Sequence, residues 1–398
     1  MKILQIAHVN VPINAKEGGC GGLEEVIATL DKKFSELGHE SFVVASSDSV
    51  MNGILLPTIP SLYGPGRGHL KANQEHIAKG FTKHAKKTLD YINKIKPDII
   101  HDHTGYHKDR SFTERIFNPH WNLRSQEEIN SNNIPPILNT IHGYVTKENT
   151  EMYKKFVELF KNKNISFNAV SQFQRAIFRG LLDVDYVVHN AIDVDSYTYG
   201  PKGQGYLFNM SSIYPGKGTH IAIDTALRAG KKLIFGGPYY HHKEYFEELI
   251  RPKIDRIELD VSAEKLPNLI NSFLNSNDKV LYLGEIGSKQ KRIIYTGADA
   301  FLFPVTIDET FGLVSAEANA SGVPVITYLS GGIPEVVNDG VSGYTVKRGN
   351  SEQLYQALLK SSTLSRKECR NWANKNFRVE RQANDYLKVY NDMILKSN

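Results

Sequence analysis

Cysteine is nearly absent: Cys20 and Cys369 are the only two in 398 residues. So small a number excludes a disulfide framework and a thiolate metal site, and both are expected to be free thiols. Long apolar runs are missing as well. No window is long enough to cross a bilayer, and the opening Met1-Lys2-Ile3-Leu4-Gln5-Ile6 turns polar too soon for a secretory signal. A cytoplasmic protein is expected. A strong charge of one sign is also lacking: the formal net charge of +5 is mild for this length and does not mark a nucleic-acid binder. What remains is ordinary globular material, 40% apolar and 23% charged, enough for two domains that each bury a core. The basic residues are unevenly spread, since Arg67 to Lys96 holds eight Lys/Arg against Glu75 and Asp90, together with His69, His76 and His84.

Strand-like runs alternate with helical patterns from end to end, which predicts an α/β architecture with parallel sheets. One series opens with Lys2–Ala7, a Gly-rich loop and a helix over 23–37, with Leu23, Val26, Ile27, Leu30 and Phe34 on one face. It continues through strands at 41–45, 98–101, 136–141, 166–170 and 186–188. The span from Tyr106 to Asn133 has no period and reads as an elaborated loop. After Asn190 the register restarts: Gly200-Pro201-Lys202-Gly203-Gln204-Gly205 has linker composition and marks a hinge, and Tyr206–Met210 is a new first strand. Further strands are expected at 232–235, 280–283, 300–303 and 323–327, and the tail over 352–395 is helical. Two such halves place a ligand in a cleft at the carboxyl ends of their strands.

The densest chemistry lies in Asp308-Glu309-Thr310-Phe311-Gly312-Leu313-Val314-Ser315-Ala316-Glu317. Phe311 to Ser321 reads as a short helix stopped by Gly322 and Pro324. A helix start offers N–H groups and a positive dipole end suited to a diphosphate, and Gly312 lets the backbone approach. A carboxylate is a strong acceptor for vicinal hydroxyls, so Glu309 and Glu317 make a cradle for a sugar and a ribose on either side of that diphosphate. The bland alternative is dipole compensation by Glu309 and a solvated Glu317. Ala316, Ala318 and Ala320 argue for tight packing instead. A glycosidase pair fits poorly, because its carboxyls stand ~5–9.5 Å apart whereas eight helical residues rise ~12 Å.

With Gly322-Val323-Pro324-Val325-Ile326 and Gly331-Gly332-Ile333-Pro334-Glu335 following, the Glu-x7-Glu element resembles the donor-binding domain of retaining glycosyltransferases of family 4. Weaker support comes from Gly21-Gly22-Leu23-Glu24, Thr140-Ile141-His142-Gly143 and Asn190-Ala191-Ile192-Asp193, where the family usually has Asn-Gly-Ile-Asp. The resemblance implies the GT-B fold, two Rossmann-like doubly wound domains facing a central cleft. It assigns 1–198 to the acceptor, 199–375 to the nucleotide-sugar donor, and 376–398 to a helix that packs back on the first domain. Glu309 would contact donor-sugar hydroxyls, with the amides of Thr310, Phe311, Gly312 and Leu313 near sugar and phosphate. Glu317 would hold the ribose and Lys217 the diphosphate, while the turn Gly284-Glu285-Ile286 would touch the nucleobase. An arginine is common five positions before that lysine, and Ser212 stands there instead.

Gly18-Gly19-Cys20-Gly21-Gly22 leads into a helix as a phosphate-binding turn does, yet lacks the Gly-x-Gly-x-x-Gly spacing, and Asp48 comes late for a ribose contact, so a nicotinamide reading is weak. In the resembled family Gly21 and Gly22 face the donor diphosphate. His142 ends an apolar strand before Gly143, a placement that presents a side chain to a sugar hydroxyl or the reacting centre. His101-Asp102-His103 imitates a metal site, but neighbouring strand residues point to opposite faces. No metal or other cofactor is expected. The helix over 71–96 reads first as a solvated basic face over a core-facing stripe, and more sharply as a contact with an anionic membrane at its inner face.

These readings converge on transfer of a hexose from a UDP- or GDP-linked sugar to a saccharide, lipid-linked or small-molecule acceptor with retention, for glycan, glycolipid or polysaccharide synthesis. The rivals are a sugar phosphorylase or epimerase on the same fold, and a non-catalytic two-domain binding protein.

Overall fold

A computed structural model describes residues 1–15, 21–63, 74–105, 111–125, 128, 134–143, 147–239 and 242–397. The Gly18–Cys20 part of the glycine loop and the basic residues Arg67 and Lys71 lie outside them. The chain forms two compact units, one of Met1–Asn190 with Val379–Asn398 and one of Ala191–Arg378.

The first unit holds seven parallel strands: β1 (Lys2–Ile6), β2 (Glu40–Ala45), β3 (Ile54–Pro57), β4 (Ile99–Asp102), β5 (Ile137–Ile141), β6 (Ile165–Ala169) and β7 (Tyr186–Val187). Their order is β3-β2-β1-β4-β5-β6-β7. The second unit repeats the plan with β8 (Tyr206–Met210), β9 (Lys232–Gly236), β10 (Arg256–Ile257), β11 (Val280–Tyr282), β12 (Ala298–Phe303), β13 (Val325–Tyr328) and β14 (Gly343–Val346), ordered β10-β11-β9-β8-β12-β13-β14. Central strands such as β1, β4, β8 and β12 are buried almost throughout, as strands covered by helices on both faces must be, and they take polar residues such as Gln5, His101 and Asn209 into the interior with them. In each sheet the winding reverses beside the first strand, at β1/β4 and at β8/β12. Loops at such a reversal diverge and leave a crevice at the strands' carboxyl ends.

Three strands escape the sequence reading, namely β3, β10 and β14. All are sheet edges with half-exposed residues, so they carry no continuous apolar run. The span expected as an irregular loop contains a helix, Phe112–Phe117, whose six residues are all buried and whose Ser111 cap accepts from the Glu114 amide. Six residues are too few to show a helical period. The helical tail is three helices, Ser351–Lys360, Arg366–Asn376 and Val379–Ser397.

The unit boundaries fall at 190/191 and 378/379 instead of 198/199 and 375/376. Backbone pairing explains the shift: the Ile192 amide donates to the Phe377 carbonyl at 2.9 Å, tying the segment after Asn190 to the second unit. Nor is Gly200 a hinge. Its amide donates to Ser321 and its carbonyl accepts from Arg366, and a Cβ there would sit 1.9 Å from the Thr296 carbonyl oxygen. The helix Val379–Ser397 packs within the first unit through Tyr386 and Tyr390 and through the Lys33–Glu380 ion pair of 2.7 Å. The helix Gln74–Ile95 buries Phe81, His84, Ala85, Thr88 and Ile92 and turns Lys79, Lys83, Lys86 and Lys94 outward, a basic face over a core-facing stripe.

Candidate active site

In the second unit, the loop after β8 carries Lys217 and the loop after β12 carries Glu309, so both belong to the sheet's reversal point. Their side chains are 16% and 12% exposed and in contact, Lys217 Nζ against Glu309 Oε2. Nζ also lies 5.5 Å from the Phe303 ring centre. Behind Glu309 the backbone is tightly fitted. The Gly332 amide donates to the Glu309 carbonyl at 2.7 Å, and Gly331, at φ +58°, leaves no room for a Cβ, which would lie 2.2 Å from that same oxygen.

The helix following Glu309 runs Leu313–Ala320 and begins later than expected, because Gly312 adopts φ 96° and cannot be helical. Only part of the Glu309–Glu317 interval is helical, so the ~12 Å separation inferred from a continuous helix does not apply. The side chains of Thr310 and Phe311 turn inward, and Phe311 meets Phe377 edge-on at 5.9 Å.

Gly312 provides no capping side chain and the first turn holds no acid. The helices after β8 and β11 also start from glycines without a side-chain cap, Gly218 and Gly287. The helices Ser351–Lys360 and Arg366–Asn376 are capped by Asn350 and Ser365, whose side chains accept from backbone amides, whereas Leu266–Asn275 and Ile333–Val336 have no such cap. The starts at Gly218, Gly287 and Gly312 thus have no side-chain acceptor on their first N–H groups, which suits an anion.

Glu317 is buried, 3% exposed, so the solvated reading fails. Its Oε1 accepts from Lys291 Nζ at 2.6 Å, and Lys291 is itself buried. Tyr295, one turn on, donates to the Val314 carbonyl at 3.0 Å, and burial beside the Glu317 carboxylate pushes its phenol well above the ordinary value. Lys291 was not legible in the sequence; it lies in the helix Ser288–Gly297, 26 residues before Glu317 with strand β12 between them, and gives no local signal. Ile286 packs against Gly236, and the Gly237 amide donates to the Gly284 carbonyl at 2.7 Å, which fixes the turn expected to touch a nucleobase. Ser212 is exposed, and Arg348 contacts Asp308 beside Glu309.

In the first unit, Gly21 is extended and caps the helix Gly22–Glu36 without a side chain. His142 lies just past β5, half-buried, with Nε2 3.2 Å from His103 Nδ1. The His103 ring lies tilted by 37° against that of His101, with centres 3.8 Å apart, and His101 is held by Tyr390 at 2.6 Å and Thr140 at 2.7 Å. Burial lowers the basicity of all three histidines, that of His142 to about 4. Each is a neutral imidazole at physiological pH, able to donate from one nitrogen and accept at the other. Gln174 braces the turn by donating to the Gly143 carbonyl at 2.6 Å. Asp102 points elsewhere, accepting from Thr104 and Thr113. Among the described residues, no three His, Cys, Asp or Glu side chains group closely enough to hold a metal ion, and no helix is long and apolar enough to cross a membrane.

The sequence pattern of the family described as Glycosyl transferases group 1 matches residues 261–379, the stretch that carries Lys291, Glu309 and Glu317. A Klebsiella pneumoniae protein described as an uncharacterized 41.2 kDa protein in the cps region is 30% identical over 320 residues, 76% of this chain and 80% of that one. D-inositol 3-phosphate glycosyltransferase of Mycolicibacterium smegmatis is 30% identical over 173 residues, 40% of this chain and 36% of that protein. The crystal structure of Anabaena HepE in complex with UDP and glucose superimposes with a TM-score of 0.65 at 18% identity, over 98% of this chain and 99% of the other, a likeness of fold. Two doubly wound units of this order, together with these similarities, place the chain in the group 1 glycosyl transferases, with the GT-B fold.

Proposed function

We propose that the chain transfers a hexosyl group from a UDP- or GDP-linked sugar to an acceptor hydroxyl, with retention of anomeric configuration, in the synthesis of a glycan, glycolipid or polysaccharide. The observation that carries this reading is the Lys217–Glu309 contact at the β8/β12 reversal, beside a glycine-capped helix start. A cation and an array of amides suit a diphosphate leaving group, and a carboxylate beside them suits sugar hydroxyls. Anabaena HepE, of the same fold, was solved with UDP and glucose, which supports a nucleoside diphosphate as the ligand class.

In this mechanism the bond from the anomeric carbon to the diphosphate oxygen breaks and the acceptor oxygen forms its bond on the same face. The acceptor's proton passes to the departing diphosphate. Lys217 and the amides from Gly312 onward take up the charge that develops on that leaving group. Glu309 accepts from sugar hydroxyls and Glu317 from those of the ribose. In the first unit we assign His142 to a saccharide hydroxyl, through the ring nitrogen that does not face His103.

Thermal denaturation with UDP, GDP, ADP and their sugars tests the ligand class: a bound nucleotide raises the transition temperature by mass action. Proton NMR of the product's anomeric coupling tests retention. No stabilisation by any nucleoside diphosphate would overturn the reading, and donor consumption with inorganic phosphate alone would replace it with a phosphorylase.

A further inference from the structure

Glu317 is not a free carboxylate waiting for hydroxyls. Lys291 Nζ donates to its Oε1 at 2.6 Å, with the two side chains only 8% and 4% exposed. Tyr295, four residues after Lys291 and on the same helix face, also reaches the Glu317 carboxylate, and its hydroxyl donates to the Val314 carbonyl one turn before Glu317. The helix Leu313–Ala320 is therefore clamped by two neighbouring turns of the helix Ser288–Gly297. That second helix starts at Gly287, immediately after the Gly284-Glu285-Ile286 turn. One rigid element thus joins the turn assigned to the nucleobase with the carboxylate assigned to the ribose.

A buried carboxylate stripped of its counter-charge takes up a proton and loses much of its strength as an acceptor. Paired with an ammonium it stays ionised, and the short contact holds it in one rotamer. A ribose hydroxyl bonded to an ionised, fixed acceptor gains more than one bonded to a neutral, rotating group.

We propose that Lys291 is a positioning and specificity-determining residue, acting through Glu317 to make the site prefer ribonucleoside over 2′-deoxyribonucleoside diphosphates. This rests on the donor-binding reading given above. Lys291 makes no contact with the nucleotide itself; it sets the charge and orientation of the group that does.

The test measures the affinities of UDP, GDP and ADP by calorimetry, takes the tightest base, and compares it with its 2′-deoxy form. The native chain is expected to favour the ribonucleotide roughly 10- to 100-fold, the range of hydrogen bonds to charged groups. Lys291→Met and Glu317→Gln should each reduce that preference to about threefold or less. Lys291→Arg, which keeps the charge, should retain part of it. Because Lys291→Met leaves a buried carboxylate alone and the variant can fail to fold, the double variant Lys291→Met/Glu317→Gln, with neither charge, completes a cycle. If Lys291 acts through Glu317, the double variant shows the same preference as Glu317→Gln. A native preference that survives Lys291→Met, or a double variant that falls well below Glu317→Gln, overturns the inference while leaving the donor reading intact. Failure of the native chain to bind any of the three diphosphates overturns the donor reading itself.

Discussion

The two units share a sheet topology and solve the problem of polar side chains at their strand ends in opposite ways. The first unit gathers neutral imidazoles, the buried His84, His101 and His103 and the half-buried His142: both nitrogens of His101 face hydroxyls, His84 Nδ1 faces Thr58, and His103 Nδ1 faces His142. The second unit packs charge against charge, Lys217 on Glu309 and Lys291 on Glu317. Neutral rings can both donate and accept, which suits hydroxyl-rich ligands whose orientation varies. Ion pairs beside uncapped helix starts suit a fixed polyanion. The difference teaches that equal scaffolds need not carry equal chemistry: the ion pairs at Lys217 and Lys291 are in the second unit, and the histidine array is in the first.

Acid should separate the units most strongly. A histidine whose folded value lies below its unfolded 6.5 binds a proton more readily once unfolded, so its contribution to stability is intact above pH 6.5 and is lost as pH falls toward the folded value. For His84, held down to about 4 by burial, the loss at pH 5 is ~2 kcal/mol, and His101 and His103 add to it in the same direction. The two tryptophans make this measurable, since Trp121 belongs to the first unit and Trp372 to the second. In urea titrations followed by fluorescence, Trp372→Phe should report a transition whose midpoint drops steeply between pH 6.5 and pH 5. Trp121→Phe should report a flatter one. Equal slopes would break the comparison.

Next in size is Glu309→Ala, expected to cut transfer by about 10²- to 10³-fold, as loss of a transition-state contact does, with nucleoside diphosphate affinity changed by about threefold or less. An equal loss of affinity and turnover would move Glu309 from sugar to phosphate. Gly331→Ala comes after it. A Cβ at φ +58°, 2.2 Å from the Glu309 carbonyl oxygen, must displace that backbone, so a loss of ~2–3 kcal/mol is expected in the second unit only. Trp372 fluorescence in Trp121→Phe would show it, and unchanged stability would mean that the loop before Glu309 yields.

How far the sequence foretold this depends on whether a residue's partners are local. The central strands are short, mainly apolar runs, and glycine at 312 with alanines at 316, 318 and 320 announced a tightly packed helix start. Edge strands β3, β10 and β14 carried no such signal, because half-exposed short strands look like loops. The extent of the helix was misjudged at Phe311, whose apolar side chain serves the core rather than helical periodicity. Lys291 stayed hidden because its meaning comes entirely from Glu317, brought to it by the packing of two helices. The histidines at 101 and 103 were visible as a pair on one strand, yet the Tyr386 and Tyr390 that meet His101 come from a helix at the far end of the chain.

That helix supplies the smallest test. Tyr390 donates or accepts at His101 Nδ1 across 2.6 Å, while Nε2 faces Thr140 Oγ1 at 2.7 Å, so both nitrogens of a fully buried ring are used. Tyr390→Phe removes one partner without opening a large cavity, and the first unit should lose about 1–2 kcal/mol, a fall of a few degrees in its transition temperature. The pH slope discriminates between causes. His101 is kept uncharged chiefly by burial, with the neighbouring His142 a lesser influence, and a phenylalanine ring preserves that burial. The stability curve of Tyr390→Phe should therefore run below that of the native chain and parallel to it between pH 6.5 and pH 5. A shallower curve would mean that the Tyr390 hydroxyl, and not exclusion of water, sets the charge at the centre of the histidine array.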